Sequence, residues 1–226
     1  SGIGLAIAQA LAGAGAEVTI TGRRRAALDA AAQDNARLHP LVMDMTDEAS
    51  VVEGTVAAIA ARGSIAIHVA NAGIAEGDAL HRSRTEDWRR IMATNLDGAY
   101  LGIRESLRGM RRADWGRVIA VSSIAGLRGL KGAVAYTASK HGLIGLVRGL
   151  AAEYAGSGLT CNALCPGYVE TDIVTRNAAA IAGRTGLSET EATEIMAQTN
   201  AHGRLIAPGD VAAAALWLCG PGSGTV

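Results

Sequence analysis

The sequence predicts an α/β fold in which a parallel β-sheet is covered by helices on both faces, giving three layers. Two observations lead to this prediction. Short apolar runs alternate with longer segments of helical periodicity along all 226 residues, which is typical of parallel strands joined by right-handed helical crossovers. The short runs are apolar on both faces, as strands buried in a middle layer are. The length suits a single domain over residues 1–226, since single domains extend to roughly 250 residues.

The elements follow one another in a regular order. A helix with apolar positions at helical spacing occupies residues 3–13, directly after a turn that contains glycine. Strands are predicted at 17–22, 40–45, 65–73, 116–123 and 159–167. Helices are predicted at 26–36, 47–62, 85–112 and 134–155, with a further helical segment at 172–202.

The charge balance argues against two classes of partner. The chain has 21 basic and 21 acidic residues, whereas nucleic acids and anionic membrane surfaces need a basic face. No apolar run approaches the roughly 20 residues that span a bilayer. We therefore expect a cytoplasmic protein that acts on a small molecule, without a nucleic-acid or membrane partner.

The cysteine content indicates a reducing compartment. Cys161, Cys165 and Cys219 are an odd number and do not suggest a disulfide framework. Cys161 and Cys165 lie in an apolar run without a nearby histidine, so small buried side chains are favoured over metal ligands. The sequence predicts no metal site.

The first four residues have the form of a phosphate-binding turn. Ser1, Gly2, Ile3 and Gly4 open the first helix ahead of the strand at 17–22. Glycine lets the backbone approach a pyrophosphate, and the free N–H groups of a helix N-terminus favour its negative charge. This order is what a dinucleotide-binding Rossmann-like unit requires, with one strand before the turn. We therefore expect that a short apolar strand precedes residue 1 in the natural protein.

A set of polar residues follows downstream at positions where a ligand would bind. Ligands bind at the carboxyl ends of parallel strands, so Ser123 and the NAG motif at 71–73 should meet the glycine turn there. Tyr136 and Lys140 share one helix face, where an ammonium group lowers the pKa of a phenol and makes it a usable acid or base. Ser123 can bind a substrate oxygen as it gains charge, and Asn95, inside a predicted helix, can hold a water near Lys140. Taken singly, Ser123 could cap a strand, Tyr136 could be a packed aromatic residue, and Lys140 could be solvated.

Six motifs, taken together, carry a resemblance to a known family. They are SGIG, NAG, TNLDGAY, SSIAG, YTASK and CPGYVET, and in this order they resemble the compact, single-domain type of short-chain dehydrogenase/reductase over essentially the whole chain. The resemblance implies that Asn95, Ser123, Tyr136 and Lys140 are catalytic. Ser123 rather than Ser122 is the catalytic match, because the family pattern places a glycine three residues after the serine, which here is Gly126. The family pattern also has a final strand, which we expect beyond residue 226.

The same resemblance implies a nicotinamide dinucleotide cofactor and the residues that bind it. These are Ser1, Gly2, Ile3 and Gly4 at the phosphates, Asp44 and Met45 at the adenine, Asn71, Ala72 and Gly73 on the adenosine side, Tyr136 and Lys140 in the catalytic centre, and Pro166, Gly167, Val169 and Thr171 at the nicotinamide.

The residues after the strand at 17–22 favour NADP(H) over NAD(H). An acidic residue there would bind the adenosine ribose of NAD, but Gly22 stands in that place. Gly22 leaves room for a 2′-phosphate, and Arg23 supplies a guanidinium group suited to bind it. The alternative is that Arg23, Arg24 and Arg25 only begin a solvated helix.

Residues 172–202 correspond to the substrate lid of the family. The second half of the chain is similar to 3-hydroxybutyrate dehydrogenases and to 3-oxoacyl and polyketide ketoreductases. Where the hydroxybutyrate enzymes usually have a histidine and a glutamine, this chain has Ile124 and Ala75, which removes polar partners for a small carboxylate. We therefore expect a larger or less polar ketone. Arg176 and Arg184 could hold a carboxylate or a carrier phosphate, although a solvated amphipathic face is the simpler interpretation.

The resemblance implies an oxidoreductase that interconverts a ketone and a secondary alcohol by hydride transfer, with Tyr136 moving the proton. Two alternatives are a dinucleotide-binding sensor or scaffold without turnover, and a lyase or isomerase on the same fold. The helices before residue 112 and after residue 136 have broad apolar faces, and such helices pair across twofold axes in this family. We therefore expect a homotetramer.

Overall fold

The computed structural model describes residues 1–226, with five strands and nine α-helices. The strands are β1 (Val18–Gly22), β2 (Leu38–Val42), β3 (Ile67–Ala70), β4 (Gly116–Val121) and β5 (Leu159–Leu164). The helices are α1 (Gly2–Gly13), α2 (Arg25–Ala32), α3 (Glu48–Arg62), α4 (Thr85–Met92), α5 (Gly98–Met110), α6 (Val134–Glu153), α7 (Asp172–Thr185), α8 (Glu189–Gln198) and α9 (Pro208–Cys219).

Strand β4 lies in the middle of three layers and is buried along its whole length. On one face Val118 packs with Ile103 of α5 and Leu143 of α6. On the other face Ile119 packs with Ile7 of α1 and with residues of α9. Helices therefore cover both faces of parallel strands, which confirms the predicted doubly wound α/β/α fold.

The strands form two parallel sheets. β1 pairs with β2, and β3, β4 and β5 form a separate sheet in that order. Helix α1 bridges the two sheets, since Ala8 packs against Leu38 of β2 while Ile7 packs against Ile119 of β4. Where the sequence predicts one sheet, the structure has two parallel sheets that both pack against α1. A strand before residue 1 stays a prediction.

The long helix predicted at 85–112 is interrupted. A π-helical turn, Ala93–Asp97, joins α4 to α5 and places Asn95 where it is completely buried. Directly after the turn, a Cβ at Gly98 would come within 2.7 Å of the Met45 carbonyl oxygen. Single π turns inside helices often occur at functional sites. Apolar periodicity does not reveal such a turn, because one extra residue barely changes the pattern.

The helical segment predicted at 172–202 consists of α7 and α8. Gly186, with a φ of +79°, ends α7, because glycine adopts this left-handed conformation without strain. Ser188 and Glu191 then begin α8 with a reciprocal pair of side-chain to backbone hydrogen bonds. Val174 and Met196 join the two helices in a small apolar cluster.

Candidate active site

The N-terminus of α1 lies beside the end of β3 and the segment after β5. Gly2 has a φ of +59°, and a Cβ there would come within 3.1 Å of the Thr171 methyl carbon. A side chain at Gly4 would collide with the Asn71 amide. The side chain of Ser1 does not cap the helix, so the first backbone N–H groups stay free. This turn fits a dinucleotide pyrophosphate, whose oxygens need such donors at close range.

Two neighbouring serines at the end of β4 have different partners. The Ser122 hydroxyl donates to the Lys140 carbonyl oxygen at 3.1 Å and ties β4 to α6. The Ser123 hydroxyl accepts a hydrogen bond from the Ala125 N–H group at 3.1 Å and lies beside the Tyr136 phenol. Accepting this bond does not use the Ser123 proton, so the hydroxyl can still donate towards the phenol or a substrate oxygen.

Tyr136 and Lys140 lie one turn apart on α6. Lys140 Nζ is 5.8 Å from the centre of the Tyr136 ring and donates to the Val121 carbonyl oxygen at 2.8 Å. Only 4% of the Lys140 surface is exposed. An ammonium group is therefore held at the carboxyl end of β4, next to the phenol.

The electrostatics of this pair differ from the prediction. Burial raises the pKa of Tyr136, and the Ser123 hydroxyl offsets this only in part. Burial also lowers the pKa of Lys140 from 10.5 to about 8. The prediction that Lys140 lowers the pKa of Tyr136 is wrong, because loss of solvent outweighs an ammonium group that is bonded to Val121 rather than to the phenol. Tyr136 is therefore protonated at neutral pH.

Asn95 fixes the loop after β3 onto α6. Its Oδ1 accepts a hydrogen bond from the Ile74 N–H group at 2.8 Å, and its Nδ2 donates to the Ile74 carbonyl oxygen at 2.9 Å. Nδ2 also donates to the Ser139 hydroxyl oxygen at 3.0 Å, and that hydroxyl donates to the Tyr136 carbonyl oxygen at 2.7 Å. Asn95 thus positions the backbone on both sides of the site.

Gly73 lies against two of the predicted catalytic residues. A Cβ at this position would be 3.4 Å from Asn95 Oδ1 and 3.5 Å from Lys140 Nζ. Gly73 of the NAG motif therefore lies beside Asn95 and Lys140. The water expected near Asn95 and Lys140 stays a prediction.

Arg23 follows the end of β1, and Asp44, which is predicted at the adenine, follows the end of β2. Asp44 Oδ1 accepts hydrogen bonds from the Thr46 N–H and hydroxyl groups at 2.9 and 2.8 Å, which hold the pKa of Asp44 below its usual range, with a smaller contribution from Arg23. Arg23 is exposed and forms no salt bridge, whereas Arg25 pairs with Asp29 at 2.9 Å.

Met45 and Ala72, two further residues predicted to bind the cofactor, have different surroundings. Met45 packs against α5, since its methyl carbon would be 3.0 Å from a Cβ at Gly102. Ala72 is exposed and presents only a methyl group. Adenine binding by Met45 and a place for Ala72 on the adenosine side stay predictions.

The segment after β5 closes the site from the other side. One pocket is lined by Ile3, Ala75, Ser122, Ser123, Tyr136, Pro166, Gly167, Tyr168, Val169, Thr171, Ile173, Val174 and Asn177. It contains all four residues predicted at the nicotinamide together with the predicted serine and tyrosine. Ser123 and Tyr136 therefore share one pocket with the predicted nicotinamide residues, whereas Asn95 and Lys140 do not line it.

Asn200 is a positioning residue that sequence reasoning missed. The Tyr168 N–H group donates to Asn200 Oδ1 at 2.9 Å, and Asn200 Nδ2 donates to the Tyr168 carbonyl oxygen at 2.9 Å. A side chain at Gly167 would collide with Asn200 Oδ1. The glycine therefore signals a close approach at this point, but nothing in the sequence says which residue approaches.

Arg176 and Arg184 of α7, in the predicted lid, do not line the pocket. The pKa of Glu76 is lowered mainly by its hydrogen bond with Arg90. The charge of Arg176 lowers this pKa further, so Arg176 lies near Glu76. Arg184 lies 3.5 Å from the Gly77 carbonyl oxygen. Both arginines thus lie near the loop after β3 rather than among the residues around the phenol.

Comparison with known proteins identifies the family. The sequence model described as short chain dehydrogenase matches residues 1–182. The chain belongs to the short-chain dehydrogenase family.

Several relatives of this short-chain dehydrogenase match nearly its whole length. D-beta-hydroxybutyrate dehydrogenase of Cupriavidus necator is 36% identical over 225 residues, which cover 96% of this chain and 86% of that protein. The putative ketoacyl reductase 1 of the granaticin polyketide synthase of Streptomyces violaceoruber is 36% identical over 234 residues, with coverage of 96% and 82%. The 3-oxoacyl-(acyl-carrier-protein) reductase of Escherichia coli is 36% identical over 219 residues, with coverage of 96% and 85%.

Solved structures give the same result. A variant of actinorhodin polyketide ketoreductase with NADPH superimposes with a TM-score of 0.96 and 30% identity, over 100% of this chain and 89% of that chain. The ligand-free aldohexose dehydrogenase of Thermoplasma acidophilum superimposes with a TM-score of 0.89 and 27% identity, over 100% and 85%. This short-chain dehydrogenase is therefore an oxidoreductase of carbonyl and alcohol groups with a nicotinamide dinucleotide cofactor.

Proposed function

We propose that this short-chain dehydrogenase reduces a ketone to a secondary alcohol with NADPH, and that Tyr136 donates the proton. The observation that carries the proposal is the state of the phenol. Burial raises its pKa, and it lies beside the Ser123 hydroxyl in a pocket closed by the segment after β5. A group that must give a proton to a developing alkoxide has to be protonated and close to the reacting oxygen.

Each catalytic side chain has a separate task in this proposal. The bound dinucleotide supplies the hydride, so the chain has to orient the ketone and move one proton. Ser123 donates a hydrogen bond to the ketone oxygen, on which negative charge grows, and Tyr136 gives its proton to the same oxygen. Lys140, a cation below about pH 8, stabilises the phenolate that remains. Asn95 holds the loop after β3 in a fixed position relative to α6.

The cofactor residues follow the path of the dinucleotide along the strand ends. Residues 1–4 bind the pyrophosphate through free N–H groups of α1. Asp44 and Met45 border the adenine, and residues 71–73 border the adenosine side. Pro166, Gly167, Val169 and Thr171 hold the nicotinamide, whose carboxamide can bond to backbone groups of this segment. Their common pocket with Tyr136 supports the last assignment.

The preference for NADPH rests on Arg23. This exposed guanidinium follows Gly22 at the end of β1 and forms no salt bridge, so it is free to bind a 2′-phosphate. Charge-assisted hydrogen bonds of this kind contribute about 1.5–3 kcal/mol. Arg23→Ala should therefore raise the KM for NADPH by about ten- to a hundredfold and leave the KM for NADH nearly unchanged.

Arg25→Ala is the matched control for the cofactor test, because Arg25 already pairs with Asp29. It should alter the preference between the two dinucleotides by less than about twofold. An unchanged preference in Arg23→Ala would show that another group selects the cofactor.

The lid, assembly and location complete the proposal. Residues 172–202 form the substrate lid within one domain, supported by the side chains that α7 contributes to the pocket. Trp88 on α4 and Tyr100 on α5 are 39% and 47% exposed, which supports pairing of these helices in a homotetramer. Light scattering after size exclusion would give the mass of four chains.

A cytoplasmic location is supported by the cysteines, which are all free thiols. No helix in the protein combines the length and apolar character needed to span a bilayer. Detection of the protein in cell fractions with an antibody against the full chain tests this part.

The reaction class is tested by following NADPH absorbance with a panel of β-keto esters, acyl thioesters, cyclic ketones and diketones. The proposal predicts that absorbance falls in step with formation of the alcohol. Formation of another product without consumption of NADPH would indicate a lyase or isomerase. Binding of NADPH without turnover of any member would contradict the proposal and favour a sensor or scaffold.

A further inference from the structure

Tyr168 brings a second phenol into the pocket that holds Tyr136. Both residues line this pocket with Ser123. The pKa of Tyr136 is raised mainly by burial, and the neighbouring Tyr168 phenol raises it further. The two phenols are therefore close neighbours. The hydrogen bonds of Tyr168 all involve its backbone, so its hydroxyl has no partner within the chain and is available to a ligand.

The backbone of Tyr168 is held in place from two directions. Asn200 bonds both its N–H group and its carbonyl oxygen at 2.9 Å. The Ile206 N–H group donates to the same carbonyl oxygen at 2.9 Å. The aromatic ring packs against the cluster formed by α7 and α8, which includes Val174 and Met196. A residue fixed in this way presents its hydroxyl at a defined place, as a specificity group must.

The pocket contains no charged side chain. Its cationic neighbours are engaged elsewhere, because Lys140 Nζ bonds the Val121 carbonyl oxygen and Arg184 lies near the Gly77 carbonyl oxygen. A carboxylate that entered would lose its water without gaining a cation, which is costly. The polar side chains that line the pocket are Ser122, Ser123, Tyr136, Tyr168, Thr171 and Asn177.

We propose that Tyr168 donates a hydrogen bond to a second oxygen of an uncharged ketone, so that the site selects β-keto esters or thioesters over keto acids. This inference rests on the proposed ketone reduction. The reacting carbon takes the hydride from NADPH, and its oxygen takes the proton of Tyr136. The second carbonyl oxygen keeps its bonds and only accepts the hydrogen bond of Tyr168. Two neighbouring donors match the two oxygens of such a substrate.

The experiment compares kcat/KM for ethyl acetoacetate, acetoacetate and pentan-2-one at saturating NADPH. The wild-type protein should prefer ethyl acetoacetate to acetoacetate by at least about tenfold, because only the acid carries a charge into the pocket. Tyr168→Phe should lower kcat/KM for ethyl acetoacetate by about three- to tenfold, as loss of one neutral hydrogen bond does. The same variant should reduce pentan-2-one at the wild-type rate within about twofold, since this ketone has no second oxygen.

Tyr154→Phe is the matched control, because Tyr154 lies at the far end of α6 and does not line the pocket. It should leave all three values unchanged. Equal losses on ethyl acetoacetate and pentan-2-one in Tyr168→Phe would overturn the inference, and so would wild-type reduction of acetoacetate as fast as the ester. The comparison of acetoacetate with the ester uses only the wild-type protein, so it does not depend on whether a variant folds. NADPH binding without reduction of any of the three ketones would instead contradict ketone reduction itself.

Discussion

Lys140 is a cation that the fold removes from water without giving it a carboxylate. Its Nζ bonds the Val121 carbonyl oxygen, and burial lowers its pKa to about 8. A group with such a shifted pKa lowers the stability of the folded state in its charged form, and such groups cluster at functional sites. The proposed stabilisation of a phenolate at Tyr136 explains why this cost is retained.

The stability of the protein should record this cost as a function of pH. Below about pH 8 Lys140 is charged in both the folded and the unfolded state, and the folded state bears the full penalty. As the pH rises from about 8 towards 10.5, the folded state loses its proton first and the penalty disappears. The free energy of unfolding of the wild type, relative to Lys140→Met, should thus increase by about 2–3 kcal/mol between about pH 7 and 10.

Urea unfolding of both proteins at the two pH values measures this difference and cancels the other titrating groups. A difference that stays constant would mean that Lys140 keeps an ordinary pKa. A difference that falls with pH would mean that a negative partner stabilises its charged form.

The sequence predicted the identity of the central residues better than their electrostatics. The spacing of Tyr136 and Lys140 placed them correctly on one helix face, but the direction of the phenol's pKa depends on burial, which spacing does not contain. Tyr168 and Asn200 were not singled out, because their partnership spans 32 positions and has no motif.

Among the elements, the π turn between α4 and α5 and the segment after β5 do most to shape the site. The π turn places Asn95 inside the protein, where its amide holds Ile74 from both sides. The segment after β5 is fixed by Asn200 in the same manner. Two buried or half-buried amides therefore fix two loops that carry no regular structure of their own.

The packing of Gly167 against Asn200 can be tested with a double-mutant cycle. Because a Cβ at position 167 would collide with Asn200 Oδ1, Gly167→Ala should cost about 1–3 kcal/mol of stability and lower kcat/KM. In an Asn200→Ala background the same substitution should cost less than about 0.5 kcal/mol, since the colliding atom is gone. Thermal or urea unfolding of the four proteins measures the coupling.

Gly183→Ala provides the control for this cycle, because a Cβ there would meet nothing within 4 Å. It should leave stability unchanged or slightly raised. Additive effects of Gly167→Ala and Asn200→Ala would show that the segment after β5 relaxes away from Asn200. The hydrogen bonds of Asn200 would then not set the position of this segment.

The elements themselves were largely predictable, because alternating apolar runs report strands and helices directly. The π turn at Ala93–Asp97 and the division of residues 172–202 into α7 and α8 were not. The first depends on a tertiary contact at Gly98, and the second on cap geometry around Gly186 that lies within one helical pattern.

For the molecule as a whole, α1 has two tasks. Its first turn is the proposed phosphate-binding site, and its apolar side joins the β1–β2 sheet to the β3–β4–β5 sheet. Ile7 is 1% exposed at this junction. The site at the strand ends therefore depends on the same helix that holds the two sheets together.

Ile7→Ala should lower the free energy of unfolding by about 2–5 kcal/mol, as truncation of a buried aliphatic side chain does. Gln9→Ala, at an exposed position of the same helix, should change it by less than about 0.5 kcal/mol. Urea unfolding of both variants measures the difference. Similar small effects in both would mean that α1 is not part of the cooperative core.

The central claim is that Tyr136 gives the proton while the rest of the chain binds and orients. The most direct measurement is the single-turnover rate of NADPH oxidation by Tyr136→Phe, together with its Kd for NADPH. The account predicts a rate at least about a hundredfold lower than that of the wild type, with a Kd within about twofold, because the phenol hydroxyl is lost and the phosphate-binding turn is untouched. A rate within about tenfold of the wild type would contradict it.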